Sequence, residues 1–187
     1  MYKKRIADIL LERKLAGKGA VLIEGPKWCG KTTTASMQAK SILDLGDSEI
    51  LKESKSMIEI SPRKLLEGET PRLIDEWQTL PALWDSIRNL VDKRQEVSQF
   101  ILTGSSVLPE AYETTHSGTG RIGRIRMRPM SLYESEESNG RVSLKNLFEG
   151  KDFEVQENSL TIDDIAFLVC RGGWPASISM RREIALD

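Results

Sequence analysis

Cysteine and histidine are scarce: only Cys29, Cys170 and His116 occur among the 187 residues. The two cysteines lie far apart and match no CxxC or Cys/His ligand spacing, which argues against a structural zinc site and fits reduced thiols in a cytoplasmic protein. His116 stands alone, with no partner at ligand spacing. Charge of one sign is also lacking: 27 basic residues against 28 acidic ones leave a net charge of -1. No global basic field exists to drive non-specific nucleic-acid binding, so any nucleic-acid contact must be local. No apolar run approaches the roughly 20 residues needed to span a bilayer. The N-terminal Met1-Tyr2-Lys3-Lys4-Arg5 leads into a charged amphipathic stretch rather than a signal-peptide core. A membrane partner and secretion are not expected. Internal repeats, low-complexity tracts and the Asn-Lys-x-Asp motif of guanine-specific proteins are absent as well.

What is present is an alternation of short apolar runs and helical patterns. The first segment places Ile6, Ile9, Leu10 and Arg13 on one side at helical spacing, and these residues are expected to pack against the adjoining domain. Gly17-Lys18-Gly19 breaks that helix. Ala20-Val21-Leu22-Ile23-Glu24 then reads as a strand buried on both faces. Further strands are expected near Ile42–Leu45, at Arg72-Leu73-Ile74-Asp75-Glu76, at Gln99–Thr103 and at Ile122–Arg128. Helices are expected over Thr32–Lys40, Glu49–Ser56, Pro62–Leu66 and Pro81–Arg94, the last from Leu83, Trp84, Ile87, Leu90 and Val91. Strands alternating with helices imply an α/β fold with a mostly parallel sheet covered on both faces. Short helical pieces come next, near Ser143–Phe148. Thr161 and Asp164 form a capping box ahead of Ile165, Phe167, Leu168 and Val169, and Gly172 stops that helix. We expect one full domain over residues 1–155 and the beginning of a helical C-terminal domain over 156–187.

Directly after the first strand stands Gly25-Pro26-Lys27-Trp28-Cys29-Gly30-Lys31-Thr32-Thr33. The Gly-x4-Gly-Lys-Thr spacing puts glycines where a backbone must turn tightly and present its N–H groups to phosphate oxygens at a helix start. Lys31 is then expected to reach the β- and γ-phosphates and the Thr32 hydroxyl to hold Mg²⁺. Cys29 is either a redox-sensitive thiol or a passive occupant of the loop. Trp28 is either a lid or a packing residue.

An apolar strand ending in Asp75 supplies a second Mg²⁺ ligand, and Glu76, one residue on, can polarise an attacking water. This points to hydrolysis rather than transfer to another acceptor. The alternative is that Asp75 and Glu76 simply open a helix, whose N-terminal dipole favours acids. Ser105, after the strand ending at Thr103, is a candidate water- or phosphate-sensing hydroxyl, with Thr103 and Ser106 behind it; a plain strand-ending turn is the alternative. Arg121, with Arg124 second, is a candidate for stabilising transition-state charge on the γ-phosphate. The alternation Arg124/Arg126/Arg128 also fits a solvated strand face or a small patch for a nucleic-acid backbone.

Together, Gly25–Thr32, Pro71–Gln78, Leu102–Ser106, His116–Arg121 and Arg128–Glu134 resemble the prokaryotic AAA-type ATP-binding proteins that carry an appended C-terminal domain of unknown function. Cys170-Arg171-Gly172-Gly173-Trp174-Pro175 looks like the start of that domain. The resemblance implies an AAA-like P-loop NTPase fold, a three-layer sandwich, with ATP as the nucleotide, Mg²⁺ as the metal and Lys31, Thr32, Asp75 and Glu76 holding phosphate, metal and water as their types suggest. It also implies that the chain corresponds to an N-terminal portion of longer members. The expected function is ATP hydrolysis coupled to conformational change in an attached domain or partner, with a second copy of the chain as one candidate partner. The alternative is a nucleotide-regulated protein- or DNA-binding module with negligible turnover.

Overall fold

The computed structural model describes residues 2–104, 120–152 and 160–185. In chain order the elements are α1 (Ile6–Leu15), β1 (Ala20–Glu24), α2 (Lys31–Ser36), β2 (Ser41–Asp44), α3 (Ser48–Ile60), α4 (Pro62–Leu65), β3 (Arg72–Asp75), a 3-10 turn (Trp77–Thr79), α5 (Leu83–Arg94), β4 (Phe100–Gly104), β5 (Ile122–Arg126), α6 (Leu144–Phe148), α7 (Ile162–Arg171) and α8 (Pro175–Ile178). The five strands form one sheet in the order β2-β3-β4-β1-β5. Every pairing is parallel, with Ala20 opposite both Phe100 and Ile122, and Arg72 opposite Ser41 and Phe100.

Strict alternation along the strands builds a core on each face of the sheet. Ala20, Leu22, Ile74, Phe100 and Leu102 point to one side, where Leu83, Trp84, Ile87 and Val91 of α5 cover them. Val21, Ile23, Leu73, Ile101 and Ile125 point to the other, against Ala7, Leu11 and Leu15 of α1 and Ala35 of α2. Helices on both faces of a parallel sheet make the expected three-layer α/β sandwich. Each fully enclosed Leu, Ile or Phe contributes on the order of 1.5–3 kcal/mol of transfer free energy, which makes these two layers the main source of stability.

The first helix packs through a different side from the expected one. Ala7, Leu11 and Leu15, spaced by four, are buried, while Ile6, Ile9 and Leu10 are exposed. Apolar residues run around most of α1, so spacing alone fits two faces; contact with β1 and β5 selects the one that carries the small Ala7. The second helix ends at Ser36, short of Lys40. By contrast, the capping box at Thr161 forms as expected, with Thr161 Oγ1 accepting from Asp164 N–H at 3.1 Å and Asp164 Oδ2 accepting from Thr161 N–H at 3.0 Å. Of the apolar residues expected to define α7, only Leu168 is buried.

The chain divides into two compact units, residues 5–128 and residues 2–4 with 129–185. The boundary expected near residue 155 lies outside the described residues. No helix among the described residues is long and apolar enough to cross a membrane.

Candidate functional site

A parallel sheet brings all strand C-termini to one edge, and the loops leaving that edge are where α/β folds place ligands. Here β1, β3 and β4 end side by side with Glu24, Asp75 and Gly104. The loop Gly25–Gly30 leaves β1 and delivers Lys31 to the first position of α2.

The loop's shape is imposed at specific residues. Gly30 has φ 99°, a left-handed conformation that only glycine adopts freely, and it turns the chain into α2. At Gly25 the constraint is space: an added Cβ would stand 2.2 Å from the Met127 carbonyl oxygen. Trp28 is also left-handed, at φ 62°, and the residue is 85% exposed. That exposure argues against the packing reading. Cys29 is fully buried among the α1-side core residues, the setting of an inert structural thiol rather than a reactive one. Its carbonyl accepts from Arg5 Nη1 at 2.8 Å, and Arg5 Nη2 donates to the Arg128 carbonyl at 2.9 Å. Arg5 thus fastens the loop to the start of α1, a contact with no warning in the sequence beyond a basic residue ahead of a helix.

Lys31 is 5% exposed and curls back over its own loop, donating to the carbonyls of Gly25 at 3.0 Å and Pro26 at 2.8 Å. The loop oxygens thereby satisfy the buried ammonium. Thr32 Oγ1 donates to both carboxylate oxygens of Asp75, at 2.9 and 3.1 Å, and Thr103 donates to the same carboxylate from β4. A hydroxyl and a carboxylate converging beside a phosphate loop are hard oxygen donors of the kind Mg²⁺ takes, so these residues fit the expected ion. Glu76 comes next in a left-handed conformation, φ 53° and ψ 41°, a strained geometry for a glutamate. Its carboxylate accepts a hydrogen bond from Gln78 Nε2.

Burial pushes the Asp75 carboxyl above the ordinary carboxylate range. Hydrogen bonds from Thr103 and Thr32 pull it back, and the neighbouring Asp44 and Glu76 carboxylates push it further up. A carboxyl whose pKa is higher folded than unfolded binds more protons in the folded state, so stability falls as pH rises through that interval. Without nucleotide, Asp75→Asn should therefore melt above wild type at pH 7, with the gap closing as pH falls to about 4. Equal midpoints at pH 7 in thermal unfolding would contradict this.

Thr32 and Asp75 are brought into contact, Lys31 rests on the carbonyls of its own loop, Glu76 follows Asp75 at the end of β3, and Thr103 is the β4 hydroxyl that reaches the Asp75 carboxylate. Ser105, Ser106 and His116 lie outside the described residues. Arg121 is not brought to the loop. It directly precedes β5, its carbonyl accepts from Ala20 N–H at 3.4 Å, and β5 runs parallel to β1. That puts it at the opposite edge of the sheet, level with Gly19 and roughly 20 Å down the strand from Gly25 at about 3.3 Å per residue. There its guanidinium pairs with Asp92 of α5. Arg124 pairs with Glu24 at 3.2 Å.

A family profile described as an AAA domain matches residues 17–136. The chain belongs to the AAA domain family. The match takes in the phosphate loop, all five strands and both acids. Two mycobacterial relatives, uncharacterized protein Mb2031c of Mycobacterium bovis and uncharacterized protein Rv2008c of Mycobacterium tuberculosis, are each 27% identical over 134 residues, 71% of this chain. The chain spans 30% of their length. Among solved structures, the Walker-type ATPase PABY2304 of Pyrococcus abyssi has a similar fold, with a TM-score of 0.53 at 17% identity over 99% of this chain and 67% of that one. Family membership and the geometry of this AAA domain together support ATP binding by an ATPase-type module.

Proposed function

We propose that this AAA domain hydrolyses MgATP and that turnover drives a conformational change in an attached domain or partner. The observation that carries the reading is the consecutive pair Asp75-Glu76 at the end of β3, one acid bonded to Thr32 and the next set in a left-handed backbone with its carboxylate held by Gln78. On this reading Lys31 leaves the loop carbonyls for the β- and γ-phosphate oxygens. Thr32 and Asp75 would hold Mg²⁺, which when bound neutralises charge on the phosphates. Glu76 takes a proton from the attacking water as its oxygen bonds to the γ-phosphorus. The bridging oxygen leaves with ADP, giving ADP and inorganic phosphate. Thr103, bonded to Asp75 from the neighbouring strand, holds that carboxylate in place.

Arg121 sits too far from the loop of its own chain to serve this chemistry directly. A nucleotide-directed role for it would require ATP held by a second copy, and would show as a rise in specific activity with protein concentration.

The test is equilibrium binding of ATP and phosphate release with and without Mg²⁺, for wild type and Lys31→Ala. Wild type should bind and turn over ATP only with Mg²⁺. Lys31→Ala should bind at least about 10-fold more weakly, a loss of about 1.4 kcal/mol or more. Tight Mg-dependent binding with no phosphate release would replace this reading with a nucleotide-regulated binding module.

A further inference from the structure

The site contains a polar residue that the proposed hydrolysis does not use. Gln78 stands two residues past Glu76 in the 3-10 turn Trp77–Thr79, and its Nε2 donates to Glu76 Oε2. A carboxylate only accepts, so this bond fixes which end of the amide faces Glu76. The other end, Gln78 Oε1, is fully enclosed and has no hydrogen-bond partner among the described residues. It lies against the last residue of β4: a Cβ built on Gly104 would meet it at 2.5 Å. An enclosed oxygen to which the described residues give no donor contributes nothing to their stability through that atom, which leaves the bond to Glu76 as the amide's polar contact among them.

The surrounding turn is rigid. The Glu76 carbonyl accepts both from Thr79 N–H at 2.9 Å and from Thr79 Oγ1 at 2.8 Å, which locks the left-handed conformation. The buried Trp77 ring packs on Trp84 with centroids 4.9 Å apart. The backbone of Glu76 is therefore held, and among the described residues Gln78 is the hydrogen-bond donor to its carboxylate.

We propose that Gln78 is the positioning residue for Glu76, holding the carboxylate through Nε2 while Oε1 bears on the end of β4 at Gly104. The inference rests on Glu76 as the hydrolytic base. It assigns to one amide the link between that base and the strand whose Thr103 already grips Asp75. A movement of the β4 end would be passed to Glu76 without disturbing the phosphate loop.

Stability and function then separate. Gln78→Leu fills the same space without the oxygen that has no partner among the described residues, and Gln78→Glu keeps the shape while setting a second carboxylate against Glu76. In the full chain, both should bind MgATP within about 2-fold of wild type. Both should release phosphate roughly 10- to 100-fold more slowly, the cost of a reacting group misplaced by about 1 Å. Gln78→Leu should melt no lower than wild type. Wild-type turnover in both variants overturns the proposal, and so does a loss of MgATP affinity that matches the loss of turnover. A Glu76→Gln control separates the two ideas: if it turns over like wild type, the hydrolytic reading itself fails and the proposal falls with it.

Discussion

Glu76→Gln should bind MgATP with wild-type affinity and release phosphate at least about 100-fold more slowly, because general-base catalysis by a positioned carboxylate contributes on the order of 10²–10⁴ in rate. The substitution keeps the side chain's length and one carbonyl oxygen, so the left-handed backbone at φ 53° and the two Thr79 bonds to the residue 76 carbonyl have no reason to change. On the proposed function, affinity rests on other groups: the loop amides, Lys31 and the Thr32–Asp75 pair. Binding and turnover are thus carried by different side chains and should separate cleanly in one variant. The measurement is phosphate release under saturating MgATP, beside a direct binding titration. Turnover within a few-fold of wild type would remove Glu76 from the chemistry. A parallel loss of affinity would mean that it supports the metal ligands instead.

The parts of this domain most legible in the sequence are those whose physics is local or extreme. Strands β1, β3 and β4 are buried on both faces, and burial on both faces leaves a continuous apolar run that few other structures need. The phosphate loop is readable because its glycines answer to backbone geometry, as the left-handed Gly30 and the crowded Gly25 bear out. The cap at Thr161 depends on residues three apart and on nothing distant. Packing partners are less legible. The helix α1 has apolar residues on most sides, and only the tertiary contact decides that Leu11 is enclosed and Ile9 is not. Arg121 shows a different failure. Its glycine-rich setting suggests reach toward the phosphates, yet a parallel β5 necessarily starts at the edge opposite the loop that leaves β1. The alternation of strands and helices already implies the parallel sheet, and the position of Arg121 is a consequence of it. Gln78 and Arg5 cannot be found this way, because their side-chain hydrogen bonds are set by the folded geometry.

Gly25→Ala should abolish measurable ATP binding and lower the thermal midpoint, while Gly17→Ala leaves both nearly unchanged. A methyl group at residue 25 would meet the Met127 carbonyl oxygen at 2.2 Å, its carbon at 3.1 Å and Cys29 Sγ at 3.3 Å. The first two are backbone atoms, and that backbone is held: Met127 N–H donates to the Glu24 carbonyl at 2.7 Å. The guanidinium of Arg5 fastens the Arg128 carbonyl and the Cys29 carbonyl on either side of the clash. With β5's continuation fixed, the loop itself must move. Its movement carries away the Gly25 carbonyl that Lys31 uses and the turn that aims the loop amides. Overpacking of this kind costs about 1–3 kcal/mol in stability. Gly17 has nothing within 4 Å of its added Cβ and no left-handed φ, so alanine there should stay within about 0.5 kcal/mol of wild type, as for an ordinary surface change. Thermal unfolding and an ATP titration on both variants decide the matter. If Gly25→Ala binds ATP as wild type does, the close approach of the loop to Met127 is not what shapes the phosphate site.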